Sequence, residues 1–111
     1  MQIKLPPDQK MTVKCRVEGG CLGPTGDDLV SGFCDFVQSE LSSWEVDLLS
    51  WKVTPRSDNS LPELQYKLAG RNLSHEQAKR YLKSFNKNID ELEAEIHETL
   101  IVLIDEYMNK Q

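Results

Sequence analysis

SHEQAKRYLKSFNKNIDELEAEIHETLIVLIDEYMN, residues 74–109, runs without a Gly or Pro. Leu82, Phe85, Ile89, Leu92, Ile96, Leu100, Leu103 and Tyr107 recur in it at steps of three and four, the spacing of one face of an α-helix. Ser74 stands three residues before Gln77, a capping-box start in which the Ser74 hydroxyl accepts from the Gln77 amide. A second apolar row, Ala94, His97, Ile101, Ile104 and Met108, runs beside the first, so the segment LIVLI (100–104) is apolar around most of its circumference. A helix of that kind is covered from more than one side. The bases Lys79, Arg80, Lys83 and Lys87 precede the acids Asp90, Glu91, Glu93, Glu95, Glu98, Asp105 and Glu106. That order opposes the helix macrodipole, so local stability does not explain it: it is either chance or serves a contact with something else.

Length sets a limit on this helix. About 35 helical residues span roughly 53 Å, whereas strands of about eight residues span roughly 26 Å. Asn86-Lys87-Asn88 is where one helix would end and an Asn would cap the next. The apolar phase from Phe85 through Ile89 to Leu92 nevertheless continues across that point, which favours an unbroken helix.

Upstream, Met11, Val13, Cys15 and Val17 alternate with Thr12, Lys14, Arg16 and Glu18, a half-buried strand. GGCLGPTG (19–26) is a loop by composition. Thr25 or Asp27 then caps a helix to about Trp44, with Leu29, Val30, Phe33, Phe36, Val37 and Leu41 at helical spacing and Cys34 on the same side. Leu49, Trp51 and Val53 alternate again; after the polar connection 55–60 and Pro62, so do Leu64, Tyr66 and Leu68. Residues 69–72 read as a turn into the long helix. Residues 1–10, broken by Pro6-Pro7, read as an edge strand or a loose arm.

The order is β-α-β-β-α. The expectation is one α+β domain over residues 1–111, a split βαβ-like arrangement with an antiparallel-containing three-stranded sheet. Strands two and three would form an antiparallel hairpin, both helices would cover one face, and the C-terminal helix would be long.

Composition narrows the function classes. Hydrophobic content of 39% and charged content of 28% are those of an ordinary globule, and a formal charge of −5 opposes bulk attraction to polyanions. No apolar run approaches a membrane span, and no secretory h-region is visible. The three cysteines are an odd number and read as reduced thiols. A cytoplasmic protein is expected, with no membrane contact.

Each candidate site competes with a simpler reading. The GGCLGPTG loop occupies a phosphate-loop position but lacks the Lys and the glycine spacing, and Asp27 and Asp28 repel an anion. Cys21, before a helix start, is the candidate reactive thiol, yet its base would have to be His75 or His97 on the far helix. Cys15, Cys21 and Cys34 lack the close pair usual for zinc. No catalytic residue, metal or cofactor is expected.

Two surfaces remain. Ala94, His97, Leu100, Ile101, Ile104 and Met108 form a candidate protein interface, with a homodimer as the expected assembly and another protein as the other candidate partner. An antiparallel pairing would set the basic half of one long helix against the acidic half of its mate. The alternative is a nucleic-acid-binding accessory domain using Lys14, Arg16, Lys52, Arg56, Lys67 and Arg71 on the outer sheet face. That face carries no aromatic residue for base stacking.

Overall fold

The computed structural model describes residues 5–6, 9–23, 26–45, 47–56 and 60–109, apart from the side chains of residues 20, 21 and 27. Strand β1 (Met11–Val17) leads through a 3₁₀ turn at Gly19–Leu22 into helix α1 (Gly26–Leu41) and strand β2 (Leu49–Pro55). Strands β3 (Leu64–Leu68) and β4 (Arg71–Leu73) follow, then helices α2 (His75–Lys83) and α3 (Ile89–Asn109). The strands form one mixed sheet in the order β2-β1-β3-β4. The α+β class and the long C-terminal helix are as expected.

Alternation places the core. Met11, Val13, Cys15 and Val17 of the central strand are all buried. In register beside them on β2 are Leu49, Trp51 and Val53, and Tyr66 of β3 stands opposite Val13. Phe33, Val37 and Leu41 of α1, with Leu92, Ile96 and Leu103 of α3, join these residues in a single buried cluster. Each such side chain contributes about 1.5–3 kcal/mol by leaving water, so this face of the sheet dominates stability.

The strand pairing differs from the expected hairpin. β3 does not pair with β2; it pairs antiparallel with β1, whose other edge carries β2 in parallel. The β1–α1–β2 unit therefore closes with no strand between its members. The connection from β2 to β3 is too long for a tight hairpin turn and instead steps over the end of β1. There the Arg56 amide donates to Val17 O at 2.8 Å, and the Arg16 amide to Glu63 O at 2.7 Å. The expected turn before the long helix also contains a fourth strand. Ala69 (φ 51°) and Gly70 (φ 79°) are both left-handed, as a two-residue type I′ turn requires, and Leu68 pairs with Arg71 across them.

The long helix is broken, where the asparagines allowed it. α2 opens on the expected capping box, Ser74 Oγ accepting from the Gln77 amide while Gln77 Oε1 accepts from the Ser74 amide. It ends at Lys83, and Asn86 takes φ 62°, a conformation Asn tolerates better than most residues. Asn88 Oδ1 then accepts from the amides of Asp90 and Glu91, capping α3. The apolar phase survives the break because both helices face the same core: Leu82 and Ile89 are both buried.

Three contacts lock the layers. A β-carbon at Gly32 of α1 would lie 2.5 Å from Tyr107 Oη of α3, so the absence of a side chain admits the ring that packs on Phe33 and Phe36. Tyr81 of α2 accepts from the Met11 amide and donates to Leu48 O at 2.7 Å, tying α2 to the starts of both parallel strands. Gln38 of α1 spans the edge of β2 that carries no strand among the described residues: its Nε2 donates to Trp51 O and its Oε1 accepts from the Val53 amide, both at 2.8 Å. A residue of a parallel neighbouring strand would use that same pair of groups.

The glycine loop is explained by packing. A β-carbon at Gly26 would fall 1.6 Å from Gly19 O, and Gly23 has φ 92°. The expected edge strand or arm falls largely on residues outside those described, though the Leu5 amide donates to Asp47 O.

Candidate interaction surface

α3 presents its sequence-predicted interface residues as a strip in which none is fully buried. Ala94, His97 and Ile101 are exposed, and Leu100, Ile104 and Met108 half-buried. Ile101 is 68% exposed and its neighbour Val102 54%. Val102 is the member that the two-row reading missed; its place in LIVLI was the only signal for it. On one side of Ile101 lies a groove of about 270 Å³, walled by Val17, Phe33, Leu100 and Ile104, with His97, Glu18 and Glu63 among its lining residues. On the other side, Glu98 lies one turn before and Asp105 one turn after the Ile101–Val102 pair, both exposed.

Charge on α3 itself has one sign, whereas the groove beside it also holds Arg16. α3 carries Asp90, Glu91, Glu93, Glu95, Glu98, Asp105 and Glu106 and no Lys or Arg. Glu18 and Glu63 at the groove are shared with Arg56. The break at Asn86 removes the expected charge pairing between two long helices, because Lys79, Arg80 and Lys83 now belong to the separate helix α2 and Lys87 to the elbow between them.

The basic sheet face is smaller than expected. Lys14 and Lys52 stand directly opposite each other on β1 and β2, and Lys67 is opposite Thr12, one residue pair away. Partial burial, with the charges of Arg16, Lys67 and Lys52, lowers the Lys14 pKa. Arg16 is buried, donating to Pro62 O at 2.8 Å and Gln65 Oε1 at 2.6 Å. Arg56 pairs with Glu18 and Glu63. Arg71, opposite Leu68, shares the register parity of inward Tyr66 and lies on the other face. Three lysines are thus brought together, and the three arginines are not free members of the group.

The two described thiols are buried, as their inward positions implied. Cys15 and Cys34 are free and buried; burial pushes Cys15 up to about 12 and Cys34 up to about 11, with smaller contributions from Cys34 and Asp35 respectively. The Cys21 side chain lies outside those described. One grouping was not foreseen: among the described residues, donor atoms of His75, Asp90 and Glu93 lie within 4.8 Å of one another. His75 Nε2 is 3.6 Å from Glu93 Oε1, while Glu93 Oε2 accepts from the Tyr66 hydroxyl, whose pKa burial and this bond raise. These bonds join α2, α3 and β3. A cation here would sit at the first turns of two helices, whose backbone dipoles disfavour it.

A second cleft, of about 410 Å³, lies at the elbow between α2 and α3. Leu48, Leu49, Leu82 and Leu92 contribute to its lining, and the Lys87–Glu45 ion pair at 3.1 Å joins two more of its residues. Among the described residues no helix is long and apolar enough to cross a membrane. No protein-family model matches the chain, and no curated protein or solved structure matches it either.

Proposed function

We propose that this chain is a small protein-interaction module that receives its partner on the outward strip of α3, around Ile101. The observation carrying the reading is that Ile101 and Val102, 68% and 54% exposed, stand side by side in mid-helix. Single exposed apolar residues are ordinary. Here Ile101 borders a groove walled by further apolar side chains, and Val102 extends the exposed apolar surface beyond it. In this reading the protein is cytoplasmic, and the strip rather than a reaction centre is its working surface. A second copy of this chain, closing a two-fold dimer through α3, is the competing occupant of the same strip.

Ile101→Lys and Val102→Lys test it together with solution mass. Both variants should fold, with thermal midpoints within about 3 °C of the parent, since exposed positions shift stability by about half a kcal/mol. If the parent sediments as a dimer, either variant should return it to monomer. Unfolding of both variants in a parent that is monomeric at high concentration would show the strip to be core.

A second reading rests on Lys14 and Lys52, opposed in register on a face whose four strands contain no Asp or Glu. Like charges opposed across strands cost stability, so a polyanion such as a nucleic-acid backbone would relieve them. Binding that is absent at low salt, or unchanged when Lys14, Lys52 and Lys67 become Gln, would eliminate it.

A further inference from the structure

We infer that the partner of the α3 strip is a basic amphipathic helix of another protein. The inference rests on the reading of α3 as a docking surface and adds the chemistry of what docks. The strip offers two features at once. Val17, Phe33, Leu100 and Ile104 wall a groove of about 270 Å³ along one flank of Ile101, able to take apolar side chains. Along the other flank Glu98 and Asp105 bracket Val102, with Glu95 and Glu106 exposed beyond them. A helix laid along the Ile101 line would bury an apolar stripe in the groove and set its flanking Lys or Arg beside these carboxylates, the helix-in-groove mode of recognition.

A second copy of this chain fits less well. α3 against α3 brings acid to acid, because neither copy has a Lys or Arg on that helix. The chain's own basic helix, α2, has already spent its apolar face: Ala78 and Leu82 are buried, and Tyr81 packs against the core, as does Phe85 in the turn that follows. The lysines of the sheet face are interleaved with Thr12, Ser50 and Gln65 and offer no apolar stripe. Charge complementarity therefore selects a partner from outside the chain, and it sets orientation as well as attraction.

The test uses the full chain and three synthetic 18-residue peptides: a Leu/Lys amphipathic helix, its Leu/Glu counterpart, and a Lys/Ser peptide without an apolar stripe. Anisotropy titrations should show saturable binding of the Leu/Lys peptide, weakened by salt, with amide shifts confined to α3 and the groove. Ile101→Gln combined with Val102→Gln keeps every charge and should weaken that binding about tenfold, the loss expected from a truncated apolar contact. Equal binding of the Lys/Ser peptide, undiminished binding to the double Gln variant, or preference for the Leu/Glu peptide would overturn the inference. A parent dimer that Ile101→Lys dissociates would also overturn it, while upholding the docking surface itself. If the lysine variants unfold a monomeric parent, the docking surface fails and this inference with it.

Discussion

Replacing Gln38 by Ala removes two hydrogen bonds and uncovers the outer edge of β2. Both bonds are 2.8 Å long, and both partners, Trp51 O and the Val53 amide, are main-chain groups of a strand that, among the described residues, is paired on one side only. A part-buried hydrogen bond contributes about 0.5–1.5 kcal/mol net, so the pair contributes about 1–3 kcal/mol. Water reaches part of the vacated edge, which argues for the lower half of that range. At about 4 °C per kcal/mol for a domain of this size, the midpoint should fall by roughly 4–8 °C. Gln38→Glu separates the bonds from mere packing. A carboxylate still accepts from the Val53 amide but sets an oxygen against Trp51 O, so at neutral pH it should cost at least as much as Ala. Below about pH 4, where the carboxyl protonates, it can donate again and the deficit should shrink. The uncovered strand is also a template for intermolecular pairing, so Gln38→Ala should associate at concentrations where the parent does not. Thermal melts at pH 7 and pH 4 and sedimentation at two concentrations measure these effects. A loss below about 0.5 kcal/mol for both variants, within the scatter of ordinary surface changes, would refute the claim that this carboxamide stands in for a strand.

Ser74→Ala removes one half of the capping box and should cost about 1 kcal/mol in denaturant unfolding; Ser74→Thr should cost much less. Lys52→Glu converts the like-charged pair with Lys14 into an opposite pair, and should stabilise by about 0.2–1 kcal/mol at low salt, with the gain fading as salt is added. The buried thiols make stability pH-dependent on the alkaline side. Unfolded cysteines ionise near about pH 8.5, whereas Cys34 and Cys15 in the fold are held up to about 11 and about 12. Their contribution is therefore complete below about pH 8.5 and declines as pH rises, by roughly one proton per thiol. Denaturant melts from pH 8 to 10.5 should show this slope, and Cys34→Ala should reduce it by one proton; a flat profile would contradict it. Native alkylation of Cys15 and Cys34 should correspondingly be slow at pH 8.

What the sequence made legible was whatever one local period controls. Alternation in residues 11–17 placed Met11, Val13, Cys15 and Val17 inward, and Ser74 with Gln77 marked the start of α2, because each rests on neighbours in the chain. The choice of strand partner was not local. Leu64, Tyr66 and Leu68 alternate equally well beside β2 or β1, and only the length of the preceding connection hinted at the second. The fourth strand was concealed because Ala69 is a poor advertisement for a left-handed turn. The helix break was concealed by its own continuity of phase, since Leu82 and Ile89 enter one core from two helices. At the candidate surface, Ile101 was legible from the second apolar row. Gln38 and the His75–Glu93 contact, joining residues far apart in the chain, left no periodic trace. Arg16, Arg56 and Arg71 were grouped with the lysines by strand parity and by nearness to strand ends. Hydrogen bonds and ion pairs to residues 18, 62, 63 and 65 removed the first two, and the β4 register removed the third.

The separation of charge between layers gives the molecule a permanent electric dipole. The outer sheet face carries Lys14, Lys52 and Lys67, while the acids of α3 have no Lys or Arg among them. Salt at physiological strength screens beyond about 8 Å, and the shortest dimension of the chain trace is 22 Å. An approaching macromolecule therefore feels the nearer layer and not the formal total of −5. The torque this exerts turns the protein before contact, presenting α3 to cationic surfaces and the sheet to anionic ones. Immobilised on resins of opposite sign, the same chain would expose opposite faces to solvent.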